Sequence, residues 1–161
     1  MKLLLSLFLW INFGGSPDLA TVRKMYSSVT KSESNAKEFS AKLADVSDND
    51  AKVLVAYKAA SILLNSKFEK KLKDKMDRFK EGATLLESTI KSEPNNIEIR
   101  MIRLSIQENV PGITGYKKNI KEDKKYITEH YDEQNASLKE YLKDFILQSK
   151  SFSEKEKQFV K

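Results

Sequence analysis

No cysteine occurs anywhere in the chain. That absence excludes disulfides, thiolate metal sites, cysteine nucleophiles and a lipid-modified N-terminal cysteine. Glycine and proline are scarce, at 5 and 3 of 161 residues, too few for the many tight turns of an all-β fold. The only histidine, His130, stands without an acid cluster at ligand spacing, which argues against a metal centre. There is no Gly-rich phosphate loop, no ordered Ser-His-Asp set and no pair of metal-spaced carboxylates. The sequence therefore reads as a protein that is not an enzyme and carries no cofactor. Charge of one sign is also lacking. The 29 basic and 23 acidic residues are interspersed and leave a net charge of +6. Nucleic-acid binders gather their basic residues into a patch, so nucleic acid is disfavoured as a partner.

What is abundant is helix-forming chemistry, with Lys, Glu, Leu and Ala dominating. The N-terminus is different. Lys2 precedes an apolar run from Leu3 to Ile11, interrupted only by Ser6, and Asn12 to Ser16 is small and polar apart from Phe13. A basic start, a short apolar stretch and a small-residue exit make the layout of a secretory signal peptide over 1–16. The run is about half the roughly 20 residues that a membrane span needs. A cut after Ser16 puts Pro17, a poor residue for signal peptidases, at the new N-terminus. The expected location is exported, periplasmic or envelope-associated if the source is bacterial.

Residues 17–161 read as one all-α domain. Ser16-Pro17-Asp18 suits a helix start, and Leu19, Val22, Tyr26 and Val29 follow on one face. Asn35 with Glu38 forms a capping-box pattern before Phe39, Leu43 and Val46. Ser47 to Asp50 is expected to cap a third helix, which is apolar nearly all round from Val53 to Leu64 apart from Lys58. Such a helix sits in the middle of a stack. A fourth helix is expected from Lys67 to Lys91, with Phe68, Leu72, Met76, Phe79, Ala83, Leu86 and Ile90 forming a seam against a neighbouring layer. A fifth covers Ile97 to Glu108. A sixth is expected to carry Ile113, Tyr116, Ile120 and Ile127 on one face. A seventh follows Asn135, and Ser153 with Glu156 caps a short terminal helix.

The stretch from Phe79 to Asn96, FKEGATLLESTIKSEPNN, resembles the second helix and exit turn of a tetratricopeptide repeat. An aromatic residue opens it, Gly82 and Thr89 take the small-residue positions, and Ile90 precedes the Pro-Asn-Asn turn. The resemblance implies antiparallel helix pairs stacked as a short, degenerate tetratricopeptide-like solenoid. Two features depart from the pattern. The charged Lys67–Lys75 stretch implies an insertion of roughly ten residues against the 34-residue period. Arg100, Arg103 and Gln107 fall where bulky apolar residues are expected. The chain also resembles an uncharacterised family of small exported proteins from Bacteroidetes-type bacteria, through its Val55–Lys58 and Asn96–Arg100 segments. That resemblance implies export and helix stacking, and it implies no activity.

Candidate site residues come from the third and fifth helices. Ile97, Met101 and Leu104 form one apolar stripe of the fifth helix, and Ile99, Ile102 and Ile106 form another nearly opposite. Between them Arg100, Arg103 and Gln107 line one edge, while Glu98 and Ser105 line the other. An Arg-Arg-Gln edge facing a groove could grip a carboxylate or phosphate bidentately. Alternatively, the arginines pair with acids on neighbouring helices and hold the stack together, as partly buried charges usually do. Lys58, beside Tyr57, could serve a ligand or a reaction, or could reach a helix edge. The reading that these features carry is a non-enzymatic exported interaction module for a protein, peptide or anionic envelope component. Its alternative is a basic protein bound to anionic lipid or envelope polymer through the Lys67–Lys80 and Lys117–Lys125 runs.

Overall fold

The computed structural model describes residues 16–161, and the signal-peptide reading lies outside the described residues except for Ser16. Among those residues the fold is all-helical, with seven α-helices and no strands. In chain order they are α1 (Leu19–Tyr26), α2 (Glu33–Lys42), α3 (Lys52–Asn65), α4 (Leu72–Ser92), α5 (Ile97–Asn109), α6 (Ile120–His130) and α7 (Ala136–Gln148). Four 3-10 turns lie at Ser66–Phe68, Gly112–Thr114, Tyr131–Glu133 and Glu156–Val160.

Side chains that satisfy the orphan N–H groups set several helix starts. The Asp18 carboxylate accepts from the Thr21 N–H, so the first cap is Asp18, two residues later than the expected start. Ser32, not Asn35, caps α2, because its hydroxyl accepts from the Asn35 N–H. The Ser47–Asp50 cluster does not cap α3. Asp50 instead accepts from the N–H and hydroxyl of Ser47, and α3 starts after Ala51 without a side-chain cap. Asn96 and Asn135 cap α5 and α7 as expected, and Ser153 and Glu156 form a reciprocal capping box.

The core is centred on α3 and α5. Leu54, Val55, Ala56, Tyr57, Ala59, Ala60 and Leu63 are buried on α3, and every residue of α5 from Ile97 to Leu104 is buried. α4 packs closely on α3, α6 packs on α5, and α3 also contacts α5. The α5–α6 pair is antiparallel. Gln107 meets Asn119, Arg103 meets Asp123 and Arg100 lies over Tyr126, so one number falls as the other rises.

Two expectations about apolar residues require correction. α4 begins at Leu72, after a 3-10 turn and an irregular stretch, and the first half of its seam is not covered: Leu72 is 72% exposed and Met76 62%. Ile113 and Tyr116 precede α6, and Ile113, in the 3-10 turn after Pro111, is 97% exposed. Pro111 has no N–H for a ladder, and Gly115 takes a positive φ of 67°, so the chain turns there before α6 begins.

Gly82 permits the α3–α4 contact. A Cβ built on it would lie 2.8 Å from Leu63 Cγ and 2.9 Å from both the Ala59 carbonyl oxygen and the Leu63 nitrogen. Two of these three atoms are backbone and cannot swing aside. In an exposed helix, Gly→Ala stabilises by about 1 kcal/mol. Here overpacking costs about 1–3 kcal/mol and wins. Gly82→Ala is therefore expected to lower the midpoint of a urea unfolding curve, and a raised midpoint would contradict the close approach.

Candidate functional site

Two clusters of buried charge flank α5. On one side, Arg103 donates from Nε and Nη2 to Asp123, both at 2.7 Å, and from Nη1 to Glu87 at 2.9 Å. Arg100 donates from Nε to the Pro94 carbonyl at 2.7 Å and from Nη1 to Glu122 and Asp123, each at 2.9 Å. Its guanidinium also lies 4.4 Å from the centroid of the Tyr126 ring. The Asp123 side chain is fully buried and that of Arg103 is 4% exposed. Burial works against the Arg103 charge, but the hydrogen bonds and charges of Asp123 and Glu87 more than offset it and hold its proton more firmly than usual. The Tyr116 hydroxyl donates to Glu87 at 2.7 Å.

The other cluster centres on Glu98. Arg23 of α1 donates to its two oxygens at 2.8 and 2.6 Å, and the Tyr57 hydroxyl donates to Oε1 at 2.7 Å. Tyr57 also lies 3.0 Å from the Tyr141 hydroxyl of α7. Burial pushes the Tyr26, Tyr57 and Tyr141 phenols well up, so they remain protonated donors at neutral pH. The Tyr26 hydroxyl hydrogen-bonds Ser105. α1, α3, α5 and α7 thus meet at one buried carboxylate.

Of the residues singled out from the sequence, Arg100, Arg103, Gln107 and Tyr57 occupy these clusters or the core, while Lys58 and His130 are half-buried outside them. Arg100 and Arg103 direct their guanidinium donors to acids and a carbonyl of their own chain. Gln107 is fully buried beside them. Its Nε2 lies 3.5 Å from Asn119 Oδ1, and its Oε1 has no hydrogen-bond partner among the described residues. Lys58 donates to the Ala44 and Val46 carbonyls, closing the chain exit of α2. Tyr57 is buried and bound to Glu98. His130 stacks on Tyr126 and hydrogen-bonds Glu133.

None of Arg100, Arg103, Gln107, Lys58 and Tyr57 lines a groove of about 1970 Å³ among α1, α4, α5, α7 and the Gly112–Thr114 turn. α5 turns its Ser105 edge to this groove and its arginine edge away from it. From α4 come Leu72, Lys75, Met76, Phe79, Lys80 and Ala83, which fall within one face at 100° per residue. α1 contributes Arg23 and Lys24, its C-cap Ser27 follows, α7 contributes Glu140, Tyr141, Asp144 and Phe145, and the turn adds Ile113. The clearest sequence signal for this groove is an apolar pair, Leu72 and Met76, standing in a stretch otherwise dense in charge.

No family model matches the chain, and no curated protein or solved structure does either.

The Asp123 cluster makes a sharp stability prediction. Removing a partner from a buried ion pair leaves an uncompensated charge and costs about 3–5 kcal/mol. Arg103→Ala leaves the fully buried Asp123 with Arg100 alone and removes the ion-pair partner of Glu87. Its thermal midpoint is expected to drop steeply; an unchanged midpoint would rule out the structural role of Arg103.

Proposed function

We propose that this chain is a non-enzymatic, exported interaction module that holds a segment of another polypeptide in the groove between α4 and α7. The carrying observation is the position of the exposed apolar side chains. Among the described residues, Leu72, Met76 and Ile113 account for three of the four large hydrophobic residues that are exposed, and all three line this concavity. Scattered apolar residues need no explanation, whereas a concave cluster marks a binding surface. The leader-like composition of residues 1–16 supports export.

The finer architecture we propose is a degenerate tetratricopeptide-like stack, α3/α4 on α5/α6. Gly82 supports it by bringing α4 against α3, as small residues do in that repeat. The Pro94–Asn96 turn supports it by ending one pair and capping the next.

The groove reading is tested by acidifying its exposed apolar pair. Leu72→Glu/Met76→Glu removes no buried contact of note, so the helical spectrum and melting midpoint should stay close to those of the parent. Retention of a specific polypeptide from envelope extract by the immobilised chain should be lost in the double variant. Equal retention by both chains would place binding elsewhere, and no specific retention by the parent would count against a polypeptide partner.

A further inference from the structure

The chemistry of the groove's α4 wall narrows the class of partner. At 100° per residue, Leu72, Met76 and Phe79 fall within one narrow stripe running along the helix for about 10 Å. Lys75 flanks that stripe on one side, and Lys73 and Lys80 flank it on the other. The acids Asp74 and Glu81 fall toward the opposite face, while Asp77 reaches the groove lining next to the basic flank. None of Lys73, Lys75 and Lys80 is in an ion pair among the described residues, although lysines elsewhere on the molecule are, as in Lys124–Glu156 and Lys37–Glu33. An apolar seam with unpaired lysines on both flanks is half of a helix–helix interface, in which the flanking residues select the partner by charge.

The walls themselves decide between an extended and a helical occupant. They are helices and turns, and among the described residues there is no strand to pair with a peptide backbone. An extended segment would leave its own N–H and C=O groups largely unmatched once water was displaced. A helix brings its hydrogen bonds with it. A helix about 11 Å thick rising 1.5 Å per residue fills roughly 140 Å³ per residue, so the groove's volume equals that of about three to four turns. A bilayer is the poorer fit, because Ile113 and the α7 residues Tyr141 and Phe145 face the same concavity, which a planar surface does not enter.

We infer that the groove binds an amphipathic helix whose apolar stripe is flanked by acidic residues, the flanking carboxylates meeting Lys75 and Lys80. This rests on reading the groove as the binding face. The test uses two synthetic helices of about 14 residues, alike in an apolar stripe at helical spacing and differing only in Glu or Lys at the flanks. Fluorescence anisotropy against the full chain should show the Glu-flanked helix bound at least about tenfold more tightly, with the preference shrinking at high salt. Lys75→Glu/Lys80→Glu should reverse the preference, and Met76→Glu should weaken both peptides. All three positions are exposed or half-buried on α4, so the variants should keep the parent's helical spectrum.

Equal affinity for the two peptides, or preference for the Lys-flanked one, would overturn the inference. So would binding of neither peptide while phosphatidylglycerol vesicles bind, which would assign the face to lipid. A dimer seen by sedimentation and dissolved by Met76→Glu would assign it to a second copy of this chain. If polypeptide retention from extract still depends on Leu72 and Met76 while the peptides show no charge preference, the acidic-helix inference alone fails. If that dependence is also lost, the groove reading fails with it.

Discussion

Burial of ionised side chains on α5 constrains the arrangement of every helix around it. Glu98, Arg100 and Arg103 lie within two turns of a helix that is closed off from water, and an isolated charge there would cost several kcal/mol. Each must therefore find a partner inside the molecule. Arg103 draws in Glu87 of α4 and Asp123 of α6, Arg100 draws in the α6 acids, and Glu98 draws in Arg23 of α1 and Tyr57 of α3. Hydrophobic burial brings these helices together with little directional preference. The ion pairs add direction, because a bidentate guanidinium–carboxylate contact fixes both rotation and register. Sliding α6 by one residue would rotate Asp123 by about 100° away from Arg103.

How much of this was legible in the sequence follows from the range of each signal. Local signals served well: the apolar circumference of α3, the two stripes of α5 and the Asn96 and Asn135 caps depend on residues within a turn or two of one another. Capping was misplaced where two candidates competed. Ser32 and Asn35 are three residues apart, and the hydroxyl of Ser32 reaches the Asn35 N–H. Periodicity also separated the Arg100–Arg103 edge of α5 from the Glu98–Ser105 edge. It could not say which edge would face the groove, because that depends on residues far along the chain. Arg23 and Asp123 come from opposite ends of the domain, and no spacing rule links either to α5. Leu72 and Met76 fit a buried seam by period alone, and only the placement of other helices leaves them uncovered.

The two polar clusters lie on opposite edges of α5. On the Asp123 side, Asp123 and Arg103 are buried, while Glu87 and Tyr116 reach the groove lining. The arginines and acids of this cluster satisfy one another, and Tyr126 and Tyr116 close its edges through Arg100 and Glu87. The Glu98 side borders the groove, since Arg23, Tyr26, Ser105 and Tyr141 serve both the cluster and the groove lining. Sequence patterning that buries cations on one edge of a helix and an anion on the other therefore yields unequal surroundings, one edge interior and one at the floor of a concavity.

That asymmetry bears on how a groove can be held open with three exposed apolar residues in it. Left to the hydrophobic effect alone, α1 and α7 would gain by closing over Leu72 and Met76, at roughly 25 cal/mol for each Å² covered. Closure would pull Arg23 away from Glu98 and Tyr141 away from Tyr57. Glu98 is buried, so separating it from Arg23 would leave a carboxylate in the interior with only a phenol as donor, a loss of about 3–5 kcal/mol. Covering a Leu or Met side chain returns about 1.5–3 kcal/mol each, before the entropy of ordering the new contacts is subtracted. The ion pair is thus comparable to what collapse could gain. The Glu98 carboxylate, which anchors α1 to the core through Arg23, is set against the gain from covering the exposed apolar residues.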